Sequence, residues 1–380
     1  MNDRQNDAKS RSLFSIVFMP TLRCNCTCSH CFEKLTAVSM DDSLYEKVFE
    51  ALRAIANEVA CDTLRIYWQG GEVLSMSPES VRNALYEEQR VFAGSGVKTE
   101  RHLQTNLMPY ESRRWRDIVR LFDVNTVSSS LDFPNLYRKT AGIGPEQYNA
   151  VWLKKKAEVE ADGFAVSVIS LINRGTLEIG ARRFYDFYER EARVKNLQIN
   201  LPFPGYNVEP RPLDRDALTR FVIELYRIWI ERGRSLNLSP FKALEERILD
   251  RPTPILCGFS YSCAKSLIAV GPRGEVGQCD CWVCTFPEHN YGSLFTHSAR
   301  ELLEAQSRRA FVDRALLLAS QTKCGECRFF QVCYGGCPIR AFALNGNMHT
   351  PDYYCPVYFE LFSTILDQGE LQWKASHDAI

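Results

Sequence analysis

Fifteen cysteines, most of them in close clusters, constrain this chain of 380 residues more than any other feature. Four of them fall within CNCTCSHC, from Cys24 to Cys31, and ten more lie between Cys257 and Cys355. The number is odd, and no secretion signal precedes them. The opening MNDRQNDAKSRS is polar, and the run LFSIVFMP is too short for a signal-peptide core. A cytoplasmic, reducing setting is therefore expected, where such clusters bind metal more readily than they form disulfides. No stretch approaches the ~20 apolar residues of a membrane span. Lys+Arg and Asp+Glu cancel at 46 each, so no global field draws in nucleic acid or an anionic membrane.

Hydrophobic periodicity divides the chain. After a disordered tail at 1–12, strand-like and helix-like segments alternate. LFSIVFMP, TLRIYWQGG, RHLQTN, VNTVSSSLD, FAVSVISLIN and NLQINLPF read as strands. The amphipathic stretches between and after them, such as DDSLYEKVFEALRAIANEV capped near Asp41 or Asp42, read as helices. Six such units in order predict an α/β fold, a parallel sheet with right-handed crossovers and an open, partial (β/α)6 barrel of TIM type over 13–210. Polar and glycine-rich signals gather at strand C-terminal ends, the rim that carries active sites in barrels. They are the cysteine loop, Gly70–Gly71–Glu72, Gln104–Thr105–Asn106 and Ser130–Asp132. A Pro/Gly-rich break precedes a helical connector expected over 211–256. From 257 to 380 cysteines are dense and regular elements short, as in a small domain stapled by metal.

Cys24, Cys28 and Cys31 have the spacing C-x3-C-x2-C. Three thiolates on one loop can hold three irons of a [4Fe–4S] cluster and leave the fourth iron without a protein ligand. The alternative is a zinc knuckle with His30 as fourth ligand. The spacing resembles the signature of the radical S-adenosylmethionine (SAM) enzymes, and two further features of the first half match that family. In WQGGE (68–72) the resemblance implies that Gln69, Gly70, Gly71 and Glu72 contact SAM, with Glu72 accepting from its ammonium. Ser130, in SSSLD, resembles a SAM-contacting residue. The family usually has an aromatic residue before the last cysteine of the trio; here His30 stands there and is assigned to adenine stacking. Cys26 lies between the ligands as a bystander.

The later cysteines run as Cys257-x5-Cys263, Cys279, and Cys324-x2-Cys327-x5-Cys333-x3-Cys337, then Cys355. Paired zinc ribbons are one reading. The string resembles the SPASM domain of ribosomal-peptide and sulfatase maturases. That resemblance implies two auxiliary [4Fe–4S] clusters, one on Cys257, Cys263, Cys279 and Cys337, the other on Cys324, Cys327, Cys333 and Cys355. Cys61 is read as a buried thiol; Cys281 and Cys284, an extra C-x2-C after Cys279, are alternate ligands, substrate-side thiols or buried residues, with burial as the default.

The cofactors implied are thus three [4Fe–4S] clusters and SAM, with a flavodoxin- or ferredoxin-type electron donor. Reductive cleavage of SAM would give a 5′-deoxyadenosyl radical that abstracts hydrogen from a side chain of a peptide or protein. Asp280, directly after Cys279, is the candidate general base, against the simpler reading of an aspartate in a turn. QTN, SLD and YYC (353–355) look most like the sulfatase-maturing enzymes, which convert Ser or Cys to formylglycine. LMPY after QTN, and SLDF for the usual SLDG, depart from them on the substrate-facing rim. Ribosomal-peptide oxidation or crosslinking is therefore placed first, with a separate leader-peptide-binding protein as a candidate partner. Sulfatase maturation comes second, and oxidation or rearrangement of a small molecule such as an aminosugar third. A non-catalytic scaffold is opposed by the GGE motif.

Overall fold

The computed structural model describes residues 12–206, 211–251 and 256–377. The expected N-terminal tail lies outside this range except for Ser12, and so does part of the Pro/Gly-rich break. Six strands run β1 (Leu13–Thr21), β2 (Thr63–Gly70), β3 (Lys98–Thr105), β4 (Thr126–Ser130), β5 (Ala165–Leu171) and β6 (Asn196–Asn200). Helices α1 (Tyr45–Glu58), α2 (Pro78–Phe92), α3 (Ser112–Leu121), α4 (Pro145–Ala161) and α5 (Arg174–Asp186) link them as crossovers. Local chemistry sets these boundaries. Ser77 caps α2 through Ser80 N, with Pro78 in the first turn, and Asn173 with Thr176 forms a capping box on α5.

All neighbours from β1 to β6 pair in parallel. A seventh strand, β7 (Asn237–Ser239), joins β6 in parallel after helix α6 (Arg215–Glu231), in the stretch expected to be a helical connector. Three residues before a proline carry no periodicity, so only pairing with β6 makes them a strand. Helix α7 (Phe241–Ile248) follows.

The cysteine-rich part is continuous with this sheet. Strand β8 (Leu267–Val270) adds in parallel to the free edge of β1, and β9 (Glu275–Gly277) and β10 (Gly292–Ser293) extend it antiparallel. The sheet order is therefore β10-β9-β8-β1-β2-β3-β4-β5-β6-β7. Strand β1 shows why both faces are covered. Phe14, Ile16 and Phe18 enter the main core, where Trp68 meets Phe18 edge-on at 4.9 Å. Val17 and Met19 enter a smaller core with Ala269 and Val283. The last helix, Cys355–His377, packs on α6 and α7, with Phe259 edge-on to Tyr358 at 4.9 Å. No helix among the described residues is long and apolar enough to cross a membrane.

Candidate active site

The loop after β1 is shaped before any cysteine is considered. Leu22 N donates to Val38 O at 2.9 Å and Met40 N to Pro20 O at 2.8 Å, closing the excursion at its neck. On the other side it pairs with the segment after β4: Thr27 N donates to Lys139 O at 2.9 Å, and Ser29 N to Tyr137 O at 3.2 Å. The register continues in the bridge between Cys26 and Thr140, so Cys28 and Arg138 lie directly opposite each other. Asp132, fully buried, holds that guanidinium with contacts of 2.7 and 3.2 Å and accepts from Leu171 N at 2.8 Å. A hydrogen bond from Cys26 and the charge of Arg138 hold the Cys28 thiol below its ordinary range against the pull of burial. Cys31 is pushed up to about 12, by burial first and also by the charges of Cys28 and Cys24.

The motifs at the neighbouring strand ends brace this loop. Gly70 has φ +123°, and a Cβ there would strike the carbonyl oxygen of Thr21; a Cβ on Gly71 would strike that of Arg23. The glycines let β2 end against the backbone that leads into Cys24, and Gly71 N and Glu72 N both donate to it at 2.8 Å. Glu72 is 2% exposed. Its carboxylate accepts from Leu74 N at 2.9 Å, Thr105 Oγ1 at 2.6 Å and Asn106 N at 2.6 Å. Burial raises its pKa against these three donors. Asn106 Nδ2 in turn donates to Asn25 Oδ1 at 2.8 Å and lies 3.9 Å from Cys24 Sγ. Gln104 Nε2 donates to Ser130 Oγ at 3.1 Å. QTN thus connects the GGE turn, the SSSLD strand and the cysteine loop, a role its sequence does not announce.

His30 lies 3.8 Å from Asp132 and tilts against Tyr137 at 5.5 Å. Burial, with the charge of Arg138, lowers its pKa to about 4, so the ring is neutral.

All fifteen cysteines are free thiols. Cys26 and Cys61 are buried, while Cys281 and Cys284 are half-buried. The later ones gather in two groups. The Cys257 thiol, though the residue as a whole is exposed, is pushed up by desolvation and by the charges of Cys263, Cys337 and Cys279. Cys333 is pushed up to about 12 by burial and by Cys355, Cys324 and Cys327. Cys337 therefore leaves its neighbour Cys333 for the other group. Two ions organise the crossing. Asp352 accepts from Cys337 N at 2.9 Å, Arg340 Nε at 2.8 Å and Tyr354 N at 3.0 Å. Arg314, 5% exposed, donates to the carbonyls of Met348, Gly336, Gly335 and Thr350. Neither ion is marked in the sequence; only the folded chain shows them between the thiols.

The donor sets fit iron–sulfur clusters: three thiols on one braced loop, and four in each later group, with no disulfide competing for them.

Asp280 opens helix α8 (Asp280–Val283) and accepts from Gln69 Nε2 at 2.7 Å. One carboxylate oxygen lies within 4.8 Å of both Cys279 Sγ and Cys281 Sγ. Gln69 so joins the GGE turn to the first later group. Glu33, which sequence reasoning passed over, lies nearby and is 3% exposed. Burial and the charge of Asp280 hold its carboxyl well above the ordinary range. Gln69 also borders a cavity of about 250 Å³ in the barrel, where Gln104, Ser128 and Gln198 stand beside His102 and the apolar Val168 and Ile169. A second cavity of about 320 Å³ shares Tyr67, Gln198 and Ser239 with it and reaches Cys257.

No family model matches the chain. It is 26% identical over 364 residues to the cysteine-type anaerobic sulfatase-maturating enzyme of Clostridium perfringens strain 13, covering 89% of this chain and 92% of that protein. Its fold matches native anSMEcpe with bound AdoMet (S-adenosylmethionine) at a TM-score of 0.77 and 21% identity, over 93% of this chain and 97% of the other. The same enzyme with AdoMet and the Cp18Cys peptide also matches at 0.77, with 22% identity and the same coverage. Streptococcus suis SuiB bound to S-adenosylmethionine matches at 0.58 and 15% identity, over 91% of this chain and 77% of that one.

Proposed function

We propose, taking the chain as a radical SAM enzyme with a C-terminal domain of SPASM type, that it oxidises a side chain of a peptide or protein. The observation that carries this is the braced trio Cys24, Cys28 and Cys31 beside the GGE turn, with Gln69 leading from that turn to Asp280. Cys24, Cys28 and Cys31 would hold one [4Fe–4S] cluster, while Cys257, Cys263, Cys279 and Cys337, and separately Cys324, Cys327, Cys333 and Cys355, would hold auxiliary clusters. With SAM bound, these groups would supply hydrogen-atom abstraction from the substrate and an acceptor for the electron it loses. Gln69, Gly70, Gly71, Ser130 and His30 face SAM. Glu72 keeps the loop in place through Asn106 and has one lone-pair site left for the ammonium. Gln69 positions the Asp280 carboxylate, which accepts the substrate proton.

Crosslinking or other oxidation in a ribosomal peptide is the first reading. Formylglycine formation is the second, favoured by the 26% identity along nearly the full length of a sulfatase-maturating enzyme. Anaerobic reconstitution, then reduction by dithionite with SAM, is expected to release 5′-deoxyadenosine. Mass spectrometry of added peptides is expected to show a loss of two mass units. Zinc in place of iron, or no deoxyadenosine, overturns the proposal.

A further inference from the structure

The loop that carries the trio is anchored differently at each of its three cysteines. The backbone leading into Cys24 accepts from Gly71 N and Glu72 N, and Cys28 faces Arg138 across the paired segment 137–140. Cys31 is followed by Phe32, whose carbonyl is the meeting point of two distant segments. Tyr206 N, beyond β6, donates to Phe32 O at 3.0 Å, and Thr285 Oγ1, just past helix α8, donates to it at 2.9 Å. A carbonyl oxygen offers two lone pairs, so this acceptor is fully used. The approach of the first segment needs a glycine. A Cβ on Gly205 would stand 2.3 Å from Phe32 Cα and 2.7 Å from Phe32 O. Around this contact the ring of Phe203 tilts against that of Phe32 at 5.9 Å, and Lys34 Nζ lies 5.4 Å from the centre of the Tyr206 ring.

The bond from Thr285 also closes a circuit. Helix α8 begins with Asp280, which accepts from Gln69 Nε2 at 2.7 Å, and Gln69 belongs to the strand that ends in the GGE turn. The short helix is therefore fastened at its start to β2 and just past its end to the residue after Cys31. A single bond would let it pivot; two, one near each end, fix it against the loop.

We propose that Thr285 and Gly205 are positioning residues: through the Phe32 carbonyl they fix Cys31 against helix α8, and so set where the trio stands relative to Asp280. This rests on the reading that the trio holds a cluster that binds SAM.

The test uses the full chain, reconstituted anaerobically with iron and sulfide, and calorimetric titration with SAM. It is run beside a Cys24→Ala/Cys28→Ala/Cys31→Ala variant, in which only the later groups can hold iron. Thr285→Val keeps the shape and removes the donor. SAM affinity is expected to fall about threefold to tenfold, and the electron paramagnetic resonance signal of the reduced trio centre to broaden. Thr285→Ser restores the hydroxyl and is expected to restore both. Gly205→Ala is expected to act more strongly and to lower the iron held by the trio. In the triple-alanine background Thr285→Val is expected to leave iron content unchanged. Unaltered affinity and signal in Thr285→Val, an equal loss in Thr285→Ser, or iron lost from the later groups in the triple-alanine background overturns the proposal. Iron in the unaltered protein against the triple-alanine variant separates the failures. A difference in iron without any effect of Thr285→Val means that only the positioning role fails; no difference means that the functional reading fails, and the proposal with it.

Discussion

The cysteine trio after β1 and the two groups near the C terminus are positioned by different physics. The trio sits on a loop whose neck belongs to a parallel sheet and whose far side is zipped to the segment 137–140. Its shape follows from backbone pairing, two glycines under a close contact, and the Glu72 carboxylate behind Asn106. The later groups sit mostly on short elements, Cys355 at the start of the last helix excepted, and buried ions do the organising: Arg314 collects four carbonyls, and Asp352 binds Cys337 N, Arg340 and Tyr354 N. A loop scaffolded by a sheet can keep its form when its ligands are changed. A knot held by single ions cannot.

The sharpest way to break this comparison is Arg314→Ala. It leaves several buried carbonyls without a donor, and a loss on the order of 3–5 kcal/mol is expected. Chemical unfolding monitored with iron content should show the C-terminal part failing first; equal loss of iron at the trio would mean the two regions are not held independently.

Trp68→Ala makes the opposite cut. The side chain is fully buried among Phe18, Phe49 and Phe122, and its removal is expected to destabilise the barrel by about 3–5 kcal/mol. Circular dichroism should report the loss, and the trio should lose iron with the barrel.

Glu72→Gln is subtler. It replaces an acceptor of three hydrogen bonds by a group with one acceptor oxygen, and about 1–3 kcal/mol is at stake. Reduced SAM affinity with iron retained in the later groups is expected; unchanged affinity would mean that Asn106 holds Cys24 without help.

The smallest effect concerns pH. Burial, helped by the charge of Arg65, lowers the pKa of His102 in the barrel cavity. A depressed base favours the neutral form, so its contribution is present above the unfolded value of about 6.5 and is lost as pH falls through the lowered folded value. His102→Gln should flatten that part of the stability–pH curve while leaving iron content unchanged.

Much of the architecture was legible because periodicity is local. The alternation of LFSIVFMP with amphipathic helices specifies parallel βα units, and the polar residues at strand ends specify the rim. Strand β7 was not legible, since its three residues become a strand only beside β6. QTN could be read as a rim feature, but its work as a brace needs β2, β4 and the Cys24 loop at once. Glu33 gave no signal, because one glutamate in a loop looks like any solvated charge until burial removes its partners.

Spacing along the chain already carries the chemistry on offer: three cysteines suited to an open cluster, eight more in two later stretches, and a helix–strand alternation able to hold them. The folded chain adds what no spacing shows: Asp352 and Arg314 among the later cysteines, Gln69 reaching Asp280, and the burial of Glu33. The physical reason is that spacing constrains neighbours along the chain, whereas burial, charge and hydrogen-bond partnership depend on segments brought together from far apart.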